Sequence, residues 1–147
     1  MNPELYEKDF YEWTQKNAQL LREGRLSEID LDNLIEELES LGRSEKRAFI
    51  NRLAVLIAHL LKWEYQPERR SKNWRYTIKE QRRKVMDLLE DSPSLKHEIQ
   101  QRIRKAYDDA VVLAVKDTDL DEAIFPATCP YRLEQIMGED FFPGENP

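Results

Sequence analysis

Ala48-Phe49-Ile50-Asn51-Arg52-Leu53-Ala54-Val55-Leu56-Ile57-Ala58-His59-Leu60-Leu61 is the longest apolar-rich run of the 147-residue chain. Its 14 residues fall short of the roughly 20 that a membrane span requires, and Asn51, Arg52 and His59 interrupt it. Ala48-Phe49-Ile50 and Leu53 to Ala58 leave almost no polar face. A helix that is apolar all round is normally surrounded by other elements. This stretch is therefore expected to be the central helix of a bundle, or to rest part of its surface on a second subunit.

The neighbouring segments follow the same helical period. Tyr6, Phe10, Trp13, Asn17, Leu20 and Leu21 approximate the i, i+3, i+4, i+7 template, and Gly24 is a natural stop. Asp30 is expected to cap a second helix with a core stripe of Leu31, Leu34, Ile35, Leu38 and Leu41, ended by Gly42. The central helix then opens at Arg43 or Ser44 and stops at Pro67. Ser71 caps a fourth helix carrying Trp74, Ile78, Val85, Leu88 and Leu89. Ser92-Pro93 opens a fifth, with Leu95, Ile99, Ile103, Tyr107, Ala110, Leu113 and Ala114 on its inner face. Two short helical pieces are expected around 119–124 and 131–137. No window alternates with period two, so strands are not expected. The expectation is an all-α, single-domain bundle over 1–147 of about five main helices plus short C-terminal pieces, with 1–4 and 138–147 loosely ordered.

Composition limits the chemistry. The net charge is −6, 35% of residues are charged, and there are two histidines and one cysteine. One cysteine excludes an intramolecular disulfide and a multi-cysteine zinc site, and two histidines cannot build a three-histidine metal centre. The residues three before His59 and His97 are Leu56 and Ser94, so the Glu-x-x-His pairs of di-iron bundles are missing. No glycine-rich phosphate loop, nucleophile elbow or zinc motif occurs. No cofactor or metal is expected. The N-terminus has no cationic stretch leading into an apolar one, and a lone thiol suits a reducing compartment, so a cytoplasmic location is expected.

Charge is unevenly distributed. Between 69 and 84, eight basic residues face one acid, Glu80, giving +7 and leaving −13 for the rest. Trp74 and Tyr76 interleave with these cations, the composition of a surface that tracks phosphates and offers stacking platforms. Arg69, Arg70, Lys72, Arg75, Lys79 and Arg83 are the candidate nucleic-acid face. Against it stands an acidic second helix with Glu28, Asp30, Asp32, Glu36, Glu37 and Glu39, which offers an internal complement to the basic one.

Several blocks carry a resemblance. They are Asp9-Phe10-Tyr11-Glu12-Trp13, Asp32-Asn33-Leu34-Ile35-Glu36-Glu37-Leu38-Glu39-Ser40-Leu41-Gly42-Arg43 and His59-Leu60-Leu61-Lys62-Trp63-Glu64-Tyr65-Gln66-Pro67. Trp74, Thr77-Ile78, Gln81-Arg82, Phe125-Pro126 and Cys129-Pro130-Tyr131 complete the order. Together they resemble, nearly end to end, the domain of unknown function 29 family of small prokaryotic proteins, with Glu64 standing where glutamine is more usual. The resemblance implies an all-helical fold over the whole chain and no particular activity.

Polar residues at core positions are the remaining candidates. His59 lies inside the most apolar helix, on one face with Trp63. Gln81 and Arg82 interrupt the inner stripe of the fourth helix, where an unpaired charge is costly. Glu37 is a candidate partner for Arg82, and Glu37, His59, Trp63, Gln81 and Arg82 are a candidate internal polar cluster, able to serve a small-molecule or catalytic site if a pocket reaches His59. Cys129, before Pro130 where a short helix could begin, is a candidate reactive thiol. The leading expectation is a soluble helical protein acting through protein–protein contacts or self-association, a homodimer first. A nucleic-acid-binding regulator is the alternative, and no membrane contact is expected.

Overall fold

The computed structural model describes residues 4–145, all helices, turns and loops. The helices are α1 (Glu4–Lys8), α2 (Phe10–Arg22), α3 (Leu31–Tyr65), α4 (Lys72–Asp91), α5 (Ile99–Asp117) and α6 (Leu133–Met137), with a short 3-10 turn in each connection after α2. The all-α reading holds. By its backbone the chain divides into two compact units, 1–45 and 46–147, and the division falls within α3.

The expected stop at Gly42 is absent: α3 is one helix of 35 residues. A helical glycine costs only about 1 kcal/mol relative to alanine. Arg43 spans the glycine, pairing with Glu36 at 2.9 Å and Glu39 at 3.8 Å. By contrast Gly24 does end α2, because it sits at φ +71°, where a side chain is strained.

In the first unit, Asp9 breaks the expected single helix into α1 and α2 and caps α2 by accepting from the Glu12 N–H at 3.1 Å. Trp13 is buried, with Tyr6 and Phe10 packed on its ring. Its indole N–H donates to Asp30 at 2.8 Å. Asn17, also buried, donates to the Trp13 carbonyl and accepts from the Asp30 N–H at 2.8 Å. Tyr6 donates to Glu37. Among the described residues of this unit, Trp13 and Asn17 alone are buried. A polar network and one indole hold it together.

The second unit has the large core. Ten side chains of α3, from Phe49 to Trp63, are buried, so the run that opened the sequence analysis is its centre. Ser71 caps α4 as expected, accepting from the Trp74 N–H at 3.1 Å. Ile78, Val85 and Leu89 of α4 and Ile103, Ala106, Tyr107, Ala110 and Ala114 of α5 join the core. Ser92-Pro93 opens a 3-10 turn rather than α5, which starts at Ile99 after Glu98 adopts φ 52°. The two expected C-terminal pieces are the 3-10 turn Glu122–Ile124 and α6.

Composition suggested loose packing after Gly138, yet Phe142 is buried and packs at a tilt against Trp63, 5.2 Å between ring centroids. Residues 1–3 and 146–147 of the expected loose ends lie outside the described residues.

Core packing predicts unequal responses to truncation. Leu56→Ala, at a fully buried position, should lose about 2–5 kcal/mol in urea unfolding. Val112→Ala, on the exposed side of α5, should change stability by less than about 0.5 kcal/mol. Equal effects would contradict this placement of the core.

Candidate functional site

The five residues expected to cluster take up separate roles. Glu37 accepts from Tyr6, not from Arg82. His59 is bonded within its own helix, with Nδ1 2.8 Å from the Val55 carbonyl. That carbonyl can only accept, so Nδ1 carries the proton. Burial, aided by the nearby Lys62 charge, holds the imidazole below its usual pKa and keeps it neutral. Trp63 lies beneath the guanidinium groups of Arg70 and Arg75, 5.1 and 5.2 Å from its ring centroid, and its buried indole N–H has no partner among the described residues. Gln81 buries a carbonyl oxygen that has no partner among the described residues. Among the described residues, no hydrogen bond or ion pair joins any two of these five.

Arg82 is the best-satisfied member. Only 4% exposed, it donates to the carbonyls of Ile136 (2.8 Å), Gln135 (3.3 Å), Phe141 (2.6 Å) and, more weakly, Glu139 (3.5 Å). Two of these belong to the end of α6, where the Gln135 carbonyl also accepts from the Gly138 N–H at 3.2 Å. The inward arginine therefore ties α4 to α6 and to the chain beyond it. Carbonyls replace the expected carboxylate because the guanidinium fork offers five donors and Glu37 is engaged elsewhere. Burial lowers Arg82 to about 10, still charged at neutral pH.

Cys129 does not have the environment of a reactive thiol. It precedes α6 without capping it, since Arg132 holds the N-cap position. Its Sγ lies 3.5 Å from the Tyr131 carbonyl, and burial pushes the thiol up instead of down. The adjacent Tyr131 hydroxyl donates to Glu64 at 2.8 Å, and burial with that carboxylate raises the phenol far above its ordinary range. The Tyr107 hydroxyl donates to the Pro126 carbonyl at 2.6 Å. These contacts fasten the 125–131 segment onto α3 and α5. Among the described residues, no three His, Cys, Asp or Glu side chains are placed to hold a metal ion.

Two surfaces remain. On α3, Leu31, Ile35, Leu38 and Leu41, expected in the core, are 58, 45, 67 and 66% exposed. Pattern alone cannot distinguish a stripe that faces the chain's own core from one that faces outward. On α4, the expected basic face divides in two. Arg70 donates to the Trp63 and Pro143 carbonyls and Arg75 pairs with Glu145 at 2.7 Å, so both hold the C-terminal segment. Lys72, Lys79 and Arg83 stay exposed around Tyr76, and Arg69 is exposed in the preceding turn. The clamping roles of Arg70 and Arg75 went unseen in the sequence. Phe141-Phe142, an aromatic pair in a polar tail, was the available signal.

Two variants test these assignments. Arg82→Met strands buried carbonyls and should lose about 3 kcal/mol or more in urea unfolding. A loss under about 0.5 kcal/mol would contradict its linking role. Folded His59 resists protonation, so below its usual pKa of 6.5 the unfolded chain binds more protons. Stability should therefore fall as the pH drops below about 6.5, and His59→Gln should make that decline shallower. Parallel pH profiles for both proteins would show that His59 contributes nothing to it.

No curated protein and no solved structure matches the chain. The family described as domain of unknown function DUF29 matches residues 5–142, nearly the whole length and all six helices but for the first residue of α1. The chain belongs to the DUF29 family.

Proposed function

We propose that this small helical protein works by self-association, a second copy covering the Leu31, Ile35, Leu38 and Leu41 face of α3. The observation that carries the reading is that stripe, four large apolar side chains at helical spacing and 45–67% exposed. Contiguous exposed apolar faces of this kind mark interaction sites on soluble proteins. Two further features support it. A unit with two buried side chains has too little core of its own and gains most from added burial.

Charge favours an identical partner in antiparallel orientation. The helix is acidic at Asp32, Glu36 and Glu39 and turns basic at Arg43, Lys46 and Arg47. With two copies antiparallel about Glu39 and Ser40, Leu38 of each lies opposite Leu41 of the other and Glu36 opposite Arg43. A parallel pair sets acid beside acid, which opposes association. The lone thiol and the charged surface suit work in a reducing cytoplasm, and no helix among the described residues is long and apolar enough to cross a membrane.

Size-exclusion chromatography with light scattering tests the reading. At high micromolar concentration the chain should run at twice its 17.6 kDa mass. The double variant Leu38→Glu, Leu41→Glu should run at the single mass with unchanged helical circular dichroism. A wild-type monomer under those conditions would overturn the proposal, and so would a variant that stays dimeric.

A further inference from the structure

Lys72, Tyr76, Lys79 and Arg83 recur at i, i+4, i+7 and i+11 along α4. At 3.6 residues per turn they fall within about 60° of arc and form a strip about 17 Å long. Tyr76 is 55% exposed, with the ammonium groups of Lys72 and Lys79 at 5.9 and 5.3 Å from its ring centroid. Among the described residues, none of the three cations is in an ion pair. The nearby Glu80 is taken by Lys84 at 2.8 Å. An exposed aromatic ring flanked by two lysines outside any ion pair is costly to keep if it serves only the fold, because like charges on one face repel.

We infer that this strip binds single-stranded nucleic acid, with backbone phosphates on Lys72, Lys79 and Arg83 and a base stacked on Tyr76. The inference is independent of self-association, since none of its residues lies on the α3 stripe. A duplex hides its base faces and uses only the cations, so the aromatic ring selects the single strand. Lys79 and Arg83 also border a cleft of about 330 Å³ with Met86 and Met137. Of its carboxylates, Asp87 continues the strip's face one turn beyond Arg83, and Glu139 and Asp140 come from the chain after α6. There they repel phosphate but can accept from the amino group of a base. The strip thus carries the backbone and the cleft admits a base edge. The overall charge of −6 weakens long-range attraction, so binding should be short-range and strongly salt-dependent.

Fluorescence anisotropy with a labelled, mixed-sequence single-stranded oligonucleotide tests this on the full chain. Binding at low salt should weaken about 20-fold between about 50 and 200 mM, as expected for three phosphate contacts on a single strand. Lys72→Glu with Lys79→Glu should abolish binding. Tyr76→Ala should weaken it about tenfold or more while leaving the salt slope unchanged. All of these positions are exposed, and unchanged circular dichroism confirms that the variants fold. No binding at low salt would overturn the inference. So would equal competition by duplex DNA, inorganic polyphosphate or anionic vesicles, or a Tyr76→Ala variant that binds like wild type. The dimer variant Leu38→Glu, Leu41→Glu should still bind the oligonucleotide, which separates failure of this inference from failure of self-association.

Discussion

Apolar side chains on a helix have to be covered, and α3 carries them along nearly its whole length. From Phe49 to Trp63 the chain itself supplies the cover, burying ten side chains. From Leu31 to Leu41 it leaves the large apolar residues mostly in solvent. The helix does not break where its environment changes, because one glycine costs too little and Arg43 bridges the position with Glu36 and Glu39. Continuity of α3 therefore places one apolar face in a core and leaves another exposed. The remaining features follow from how each part meets that demand.

Polar burial in the second unit obeys an equally strict rule. Arg82 enters the interior as a full charge and is tolerated because carbonyls of α6 and of the chain beyond it receive its donors. Arg70 and Arg75 act nearby, stacking on Trp63 while holding Pro143 and Glu145. Basic residues that looked like one surface in the sequence thus serve two purposes. Arg70 and Arg75 fasten the C-terminal segment inward, and Lys72, Lys79 and Arg83 stay outward on the side of Tyr76. The net charge of a segment does not reveal this partition; the helical register does.

Much of the fold was legible because periodicity and caps act locally. Ser71, Gly24 and the run from Ala48 to Leu61 behave as their chemistry dictates. Errors arose where a distant contact decides. Gly42 was read as a stop, although neighbouring charges support the helix through it. Leu31 to Leu41 was read as core, although amphipathic spacing says only that a face is apolar and not what covers it. Arg82 was rightly marked as needing a partner, but carbonyls more than 50 residues away in sequence supply it. Of the candidate cluster, Trp63 was not legible as the platform under Arg70 and Arg75, because those groups and Phe142 reach it from elsewhere in the chain.

Hydrogen exchange measured as a function of protein concentration tests the central claim most directly. A second copy over the α3 stripe should protect amides 31–45 at high concentration and release them on dilution. Amides 49–63, covered by the chain's own core, should keep their protection throughout. Protection of 31–45 that does not change with concentration would contradict the account, because that face would then need no partner.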